Sequence, residues 1–353
     1  MTVASTPPVS GFDMKKALSK ASDGQHLTAD EMTEIVGLIM DGVATQAQMG
    51  GLLVALRMKG ETVDEMVGAA RAMRARMVRV PYEGDVLDTC GTGGDGSQSV
   101  NISTIASFIV AGAGVVVAKH GNRAQSSRSG SHDVIEALGL DPAPSPELAA
   151  RCLREAKLAF LFAPAYHAAT RHVIGPRREL GLRTLFNMLG PLTNPCGARF
   201  HMNGIFSLRR CEPLARAHAL LGSERAFIVH GAGNLDEIAP AGKTHVAELR
   251  DGAVRSYEVA PSDFGLGEAD PAGLLGGESA FNAKIVLETL GGGPHKAVRN
   301  ASLMAAGAAL YVSGNAPDLR AGTERAAASL DSGAARDVLE RLRALAPLPA
   351  KKS

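Results

Sequence analysis

Four glycines fall within six residues, at Gly91, Gly93, Gly94 and Gly96, inside the run Asp88-Thr-Cys-Gly-Thr-Gly-Gly-Asp-Gly-Ser97. Without side chains, the amides of such a run can turn inward and wrap an anion. The run sits between a predicted strand over 86–89 and a predicted helix over 102–111, so the positive end of the helix points back at the same place. Ser97, Ser99, Asn101, Ser103 and Thr104 add further donors. A strand, a glycine turn and a helix in that order commit this part of the chain to a strand–helix unit that binds phosphate or diphosphate.

Two other phosphate loops share part of this pattern. Gly91, Gly93 and Gly96 match G-x-G-x-x-G, but a dinucleotide site wants an acid about 20 residues on to hold the ribose. No acid occurs between Asp95 and Asp133. Gly91 and Gly96 also have P-loop spacing, yet Ser97 stands where the lysine belongs. The next predicted strand, over 115–118, runs into Lys119-His-Gly-Asn-Arg-Ala-Gln-Ser-Ser-Arg-Ser-Gly-Ser131. Its basic and hydroxyl side chains suit a diphosphate and a sugar 5-phosphate, and it should emerge at the same sheet edge.

The rest of the chain supplies the frame. Three capping boxes, Thr28 with Glu31, Thr45 with Gln48 and Thr62 with Glu65, start three amphipathic helices before Pro81. The predicted fold class is α/β. A small all-helical N-terminal domain over 1–82, joined by helices around 176–195, precedes a larger α/β domain over 83–353 with a mainly parallel central sheet covered by helices. Strands are predicted over 159–162 and 226–230, helices over 132–138 and 213–221, and a hairpin over 244–260 around Asp251-Gly252. Three final helices are predicted over 296–312, 318–330 and 334–344. With no Trp and 4% aromatic residues, the core must come from Ala, Leu, Val, Ile and Met.

A net charge of +1 excludes a nucleic-acid coat or a membrane surface as the main partner. The apolar run over 105–118 is too short to span a bilayer and reads as a helix end followed by a buried strand. Residues 1–12 lack the basic and apolar regions of a signal peptide. Cys90, Cys152, Cys196 and Cys211 form no Cys-x-x-Cys pair, and a reduced, cytoplasmic setting is expected. Cys90 lies near the loop but has nothing to activate it, and reads as a small buried side chain.

A ligand this anionic normally brings Mg²⁺, which prefers one or two carboxylates plus substrate oxygens. Asp236-Glu237, just after the strand over 226–230, offers them. One of Arg177, Arg178 or Arg183 can clamp a substrate carboxylate in bidentate fashion; physics alone does not choose among them.

Together the blocks DTCGTGGDGSQSVNIST, KHGNRAQSSRSGSHDV and ELGLRTLFNMLGPLTNP, with the Asp236-Glu237 turn, resemble the anthranilate phosphoribosyltransferases of tryptophan biosynthesis. Thymidine-phosphorylase-like enzymes share the fold and a glycine loop but not the intact second and third blocks. The resemblance implies a Mg²⁺-dependent pentosyltransferase. It would join anthranilate to 5-phosphoribosyl 1-diphosphate, and it would act as a homodimer paired through the helical domain. It implies that Gly91, Gly94, Asp95, Ser99, Asn101, Ile102, Ser103, Thr104, Lys119, His120, Gly121, Asn122, Arg123, Ala124, Gln125, Ser126, Ser127 and Ser131 hold the phosphoribosyl donor. It places Ser103, Asp236 and Glu237 at Mg²⁺. It places Gly91, Asn122, Arg177, Ala163, Pro164 and His167 at anthranilate, and His120 as a candidate proton acceptor on the same channel. Ala165, Ala168 and Met304 depart from the family pattern.

Overall fold

The computed structural model describes residues 12–123 and 129–350. The chain divides into two compact units. One holds the residues up to Val78 together with Pro164–Thr193, and the other holds Arg79–Ala163 and the residues from Asn194 onward.

The helical unit begins with α1 (Met14–Ser22), α2 (Ala29–Met40), α3 (Gln46–Lys59) and α4 (Val63–Arg74). All three capping boxes form: each Thr hydroxyl accepts from the N3 amide, and each Glu or Gln side chain accepts from the Thr amide. Positive-φ glycines, Gly42 and Gly60, follow α2 and α3. Helix α2 packs on α4, and α1 on α3. The third box does more than cap. Glu65 is fully buried, and its carboxylate takes the Thr62 amide at 2.9 Å, the Leu27 amide at 2.9 Å and the Lys59 ammonium at 2.7 Å. One side chain thereby ties α4 to the end of α3 and to the entry of α2.

The second unit opens with β1 (Leu87–Asp88), α5 (Ile102–Gly112), β2 (Val117–Gly121), α6 (Ser131–Ala137), α7 (Pro146–Ala156) and β3 (Leu158–Phe162). The chain then re-enters the helical unit at Pro164, the second residue of α8 (Ala163–Tyr166), and continues with α9 (Arg171–Leu180) and α10 (Phe186–Leu189). Back in the second unit come β4 (Phe200–Gly204), α11 (Cys211–Leu220), β5 (Arg225–Gly231), β6 (Thr244–Arg250) and β7 (Ala253–Val259). Helices α12 (Ser279–Leu290), α13 (Lys296–Val312), α14 (Leu319–Asp331) and α15 (Ala334–Leu345) close the chain. The sheet order is β3-β2-β1-β4-β5-β6-β7, with parallel pairing from β3 to β5 and antiparallel pairing through β6 and β7. Helices α13 and α15 pack on α5, and α11 packs on β5, β6 and β7. Among the described residues, no helix is long and apolar enough to cross a membrane.

The structure departs from the sequence expectations at several elements, and helices α1 and α12 are among those not predicted. Strand β2 starts at Val117, because the turn out of α5 runs to Val116, whose carbonyl accepts from Leu87 at 2.9 Å. Lys119 and His120 therefore lie inside the strand instead of following it. Strand β4, at the centre of the sheet, was not predicted: His201 and Asn203 interrupt its apolar pattern although both are buried. Helix α7 was also missed, despite Ser145 as N-cap and Pro146 in its first turn.

Glu65→Ala strands a buried ammonium and two amides and should destabilise the helical unit by about 3–5 kcal/mol. Thr45→Ala removes only an exposed cap and should cost about 1 kcal/mol. Urea unfolding followed by circular dichroism measures both, and equal losses would refute the buried tie.

Candidate active site

Strands β1, β2 and β3 step one way across the sheet and β4 and β5 the other, so the order reverses between β1 and β4. Open α/β sheets bind ligands in the crevice beyond the strand ends at such a switch point. The glycine run leaves β1 there. Gly93, Gly94 and Gly96 have φ of 63°, 78° and 81°, which restricts these positions to glycine, and Gln98 also sits at φ 53°.

Side chains pin both ends of the run. Asp88 is buried at the end of β1 and accepts from the Cys90 amide at 3.0 Å and the His120 amide at 3.1 Å. Burial outweighs these bonds and lifts its pKa to about 6. Within the loop, Asp95 accepts from the Ser97 amide at 2.9 Å and the Asp236 amide at 3.1 Å. Thr92 donates its amide to the Gly204 carbonyl at 2.9 Å. From the outer side, Leu274 takes the Val100 amide at 2.9 Å, and Gly276 donates to the Gln98 carbonyl at 2.8 Å.

The Asp236-Glu237 turn reaches this loop because two strands end in glycine. A Cβ on Gly204, at the end of β4, would lie 1.4 Å from the Asp236 carbonyl oxygen. A Cβ on Gly231, at the end of β5, would lie 2.5 Å from that of Glu237. Glu237 accepts from the Ser103 amide at 3.1 Å, in the first turn of α5. The Lys119 ammonium, buried on β2, donates to the Thr89 carbonyl at 2.9 Å and to the Ser103 hydroxyl at 3.0 Å.

Gly91, Asp95, Ser103, Lys119, Asp236 and Glu237 thus converge. The charges are unbalanced. Burial, with Asp95 and Glu237 alongside, raises the Asp236 pKa well above the carboxylate range, and burial lifts that of Glu237 to about 7. Desolvation lowers the Lys119 pKa while the surrounding acids support its charge. Carboxylates that resist ionisation in this way are suited to a divalent cation, which would offset their charge.

The remaining predicted residues are placed as follows. Ser99 is bridged to Leu275, and its hydroxyl accepts from Ser97 at 3.2 Å. Asn101 accepts from Asn282 at 3.0 Å. Ile102 and Thr104 are buried, and their amides donate to the Val100 carbonyl at 2.8 Å and the Asn101 carbonyl at 3.0 Å. At Gly121 a Cβ would meet the Ser131 hydroxyl at 2.5 Å. Asn122 is exposed, and Arg123 is tied to Asp133 at 2.8 Å and Glu136 at 2.7 Å. Ala124, Gln125, Ser126, Ser127 and Arg128 lie outside the described residues. Cys90 is buried, and burial drives its thiol pKa far up, which leaves it an inert side chain.

Ala163 ends its stretch of the second unit, and Pro164, His167 and Arg177 belong to the helical unit. Among the three candidate arginines, Arg178 and Arg183 are exposed and Arg177 is half-buried. The Arg177 guanidinium stacks 5.6 Å from the Phe186 ring, and desolvation lowers its pKa. Among the described residues no carboxylate pairs with it. Ala165 and Ala168 are exposed, and Met304 is buried in α13.

The sequence reading missed Asn203, Gly204, Asn282 and the Leu274–Gly277 segment, which position the loop. A polar residue within an apolar stretch was the available signal for Asn203, and Gly204 gave none apart from its place before a turn.

A glycine turn, a buried lysine and a carboxylate pair gathered at a switch point define a class: enzymes that grip a phosphorylated donor through backbone amides and a metal. Two family descriptions cover most of the chain, "Glycosyl transferase family, helical bundle domain" over residues 15–77 and "Glycosyl transferase family, a/b domain" over residues 83–336. The anthranilate phosphoribosyltransferase of Anaeromyxobacter sp. (strain K) is 52% identical over 341 residues, covering 96% of this chain and 100% of its own. The crystal structure of the Thermus thermophilus enzyme of that name superposes with a TM-score of 0.88 at 41% identity, covering 93% of this chain and 98% of its own. The Saccharomyces cerevisiae enzyme, solved in complex with PRPP and Mg, superposes at 0.85 with 28% identity, covering 94% and 97%. The chain belongs to this glycosyl transferase family, and within it to the anthranilate phosphoribosyltransferases.

Gly204→Ala must displace the Asp236 carbonyl. It should cost on the order of 3 kcal/mol, the upper end for overpacking, in urea unfolding. An unchanged midpoint would mean that the turn yields freely.

Proposed function

We propose that the protein transfers the phosphoribosyl group of 5-phosphoribosyl 1-diphosphate to the amine of anthranilate, giving N-(5-phosphoribosyl)anthranilate and diphosphate in tryptophan biosynthesis. The observation that carries the reading is the convergence of the positive-φ glycines, Lys119, Ser103 and the Asp236-Glu237 turn at the switch point. The yeast relative, solved with PRPP and Mg, supports the donor and the metal.

The donor is assigned to Gly91, Gly94, Asp95, Ser99, Asn101–Thr104 and the Lys119–Ser127 segment with Ser131. Ser103, Asp236 and Glu237 are assigned to Mg²⁺, which when bound neutralises charge on the diphosphate. The bond from ribose C1 to the diphosphate oxygen breaks, the anthranilate nitrogen bonds to C1, and a proton leaves that nitrogen. Loop amides and the α5 N-terminus stabilise charge as it builds on the leaving diphosphate. Arg177 supplies the acceptor clamp: its guanidinium is desolvated without a carboxylate partner among the described residues, and the anthranilate carboxylate would provide one. Gly91, Asn122, Ala163, Pro164 and His167 complete the acceptor site. Its role is orientation, chiefly a proximity effect. His120 is the candidate acceptor for the amine proton.

The same reading makes the protein a homodimer paired through the helical unit, where Val43 and Met58 stand exposed. Four free cysteines support a reducing, cytoplasmic setting.

Mixing anthranilate, the phosphoribosyl donor and Mg²⁺ and following product fluorescence tests acceptor, donor and metal together. Arg177→Ala should raise the KM for anthranilate far more than that for the donor, and equal effects would remove the clamp. Asp236→Asn with Glu237→Gln should shift the Mg²⁺ titration of activity to higher concentrations. An unaltered titration would take both residues out of the metal site.

A further inference from the structure

Strand β4 carries an amide where a buried central strand calls for an apolar side chain. Asn203 is fully buried, and burying an unbonded amide costs several kcal/mol. Its Nδ2 donates to the Cys90 carbonyl at 2.8 Å, and its Oδ1 lies 3.0 Å from His218 Nε2 on α11. His218 Nδ1 lies 3.1 Å from the Ser223 hydroxyl, and the His201 ring stacks on His218 with centroids 4.1 Å apart. His201 Nε2 is in turn 2.9 Å from the Ala198 carbonyl.

Every orientation in this chain follows from its neighbour. A carbonyl only accepts, so the Asn203 amide nitrogen must face Cys90. That turns Oδ1 to His218, whose Nε2 must then carry a hydrogen. In the neutral ring Nδ1 accepts from the Ser223 hydroxyl. The inner end of the chain holds the Cys90–Gly91 peptide. All described peptide bonds are trans, so fixing the Cys90 carbonyl towards Asn203 aims the Gly91 N–H the opposite way.

We propose that Asn203, locked in one orientation by His218, is a positioning residue that sets the Cys90–Gly91 peptide and so directs the Gly91 amide at the phosphoribosyl donor. The inference rests on the donor site proposed above. It explains why a buried strand carries Asn203: the Cys90–Gly91 peptide is held from behind. Without that hold the peptide is free to rotate, and a donor loses one preorganised amide.

The chain has only two Cys-Gly pairs, Cys90–Gly91 and Cys196–Gly197. Protein labelled with ¹³C′-cysteine and ¹⁵N-glycine therefore gives two carbonyl–amide correlations, one of them an internal reference. Asn203→Asp keeps an acceptor for His218 but sets an oxygen against the Cys90 carbonyl. The expected result without ligand is a shifted Cys90–Gly91 signal and an unmoved Cys196–Gly197 signal. With ligand, the KM for the phosphoribosyl donor should rise about tenfold, with a smaller change in KM for anthranilate. His218→Gln places an amide donor where Nε2 stood and should keep both readouts near wild type. His218→Asn loses that donor and should move both in the direction of Asn203→Asp, which keeps the test available if the Asp variant does not fold.

A merely structural role predicts a lower melting temperature with an unmoved signal and a donor KM within about twofold of wild type, and that outcome overturns the inference. A shifted signal with an unchanged donor KM overturns it as well. Calorimetry of the wild type with donor and Mg²⁺ keeps the two readings apart: absent binding there refutes the proposed donor site, whereas binding in the wild type with no change in Asn203→Asp refutes only the role of Asn203.

Discussion

The buried ammonium of Lys119 is the interaction on which the site depends. It sits on β2 with its charge stripped of water, an arrangement that is costly unless other groups replace the hydration. The Thr89 carbonyl and the Ser103 hydroxyl supply hydrogen bonds, and Asp88, Asp236 and Glu237 supply opposing charge. One side chain from the second strand thereby fixes the start of the glycine run and the start of the helix after it. Two of the acids depend on it in turn. Burial raises the pKa of Asp88 and of Glu237 and the Lys119 charge opposes that rise, so without the cation both would be driven further towards the neutral form.

Around that charge the backbone does most of the positioning. Gly204 and Gly231 let the Asp236-Glu237 turn lie directly against the ends of β4 and β5, closer than any side chain allows. The Asp95 carboxylate closes the gap by accepting from the Asp236 amide, so the Asp236-Glu237 turn and the glycine loop are set relative to one another. The Leu274–Gly277 segment and Asn282 brace the loop from outside, and the Asn203–His218 chain braces it from beneath. Such support from several sides suits a reaction in which the protein supplies oriented donors instead of a nucleophile.

Local chemistry in the sequence translated directly into structure where neighbours in the chain are also the partners. The capping boxes at Thr28, Thr45 and Thr62 formed as read. So did the Asp251-Gly252 hairpin, whose turn residues take φ of 53° and 75°, as a tight two-residue connection requires. Reading failed where partners are distant. The polar pattern of β4 hides a central strand, because the groups that satisfy Asn203, the Cys90 carbonyl and His218, come from other elements. Likewise, Glu65 looks like an ordinary N3 residue until the Leu27 amide and Lys59 are seen around it.

The sequence by itself was enough to read a strand, a glycine run and a helix in succession, and to divide the chain into helical and α/β regions. Those conclusions need only residue type and spacing, because backbone conformation and charge are local properties. Tertiary structure alone decided that Lys119 lies within a strand and is buried, that Asp95 serves to tie two loops together, and that an asparagine on the central strand holds the Cys90 carbonyl. Each depends on which strand lies beside which. Pairing β1 between β2 and β4 brings together residues more than a hundred positions apart in the chain, as in the bond from Asn203 to Cys90.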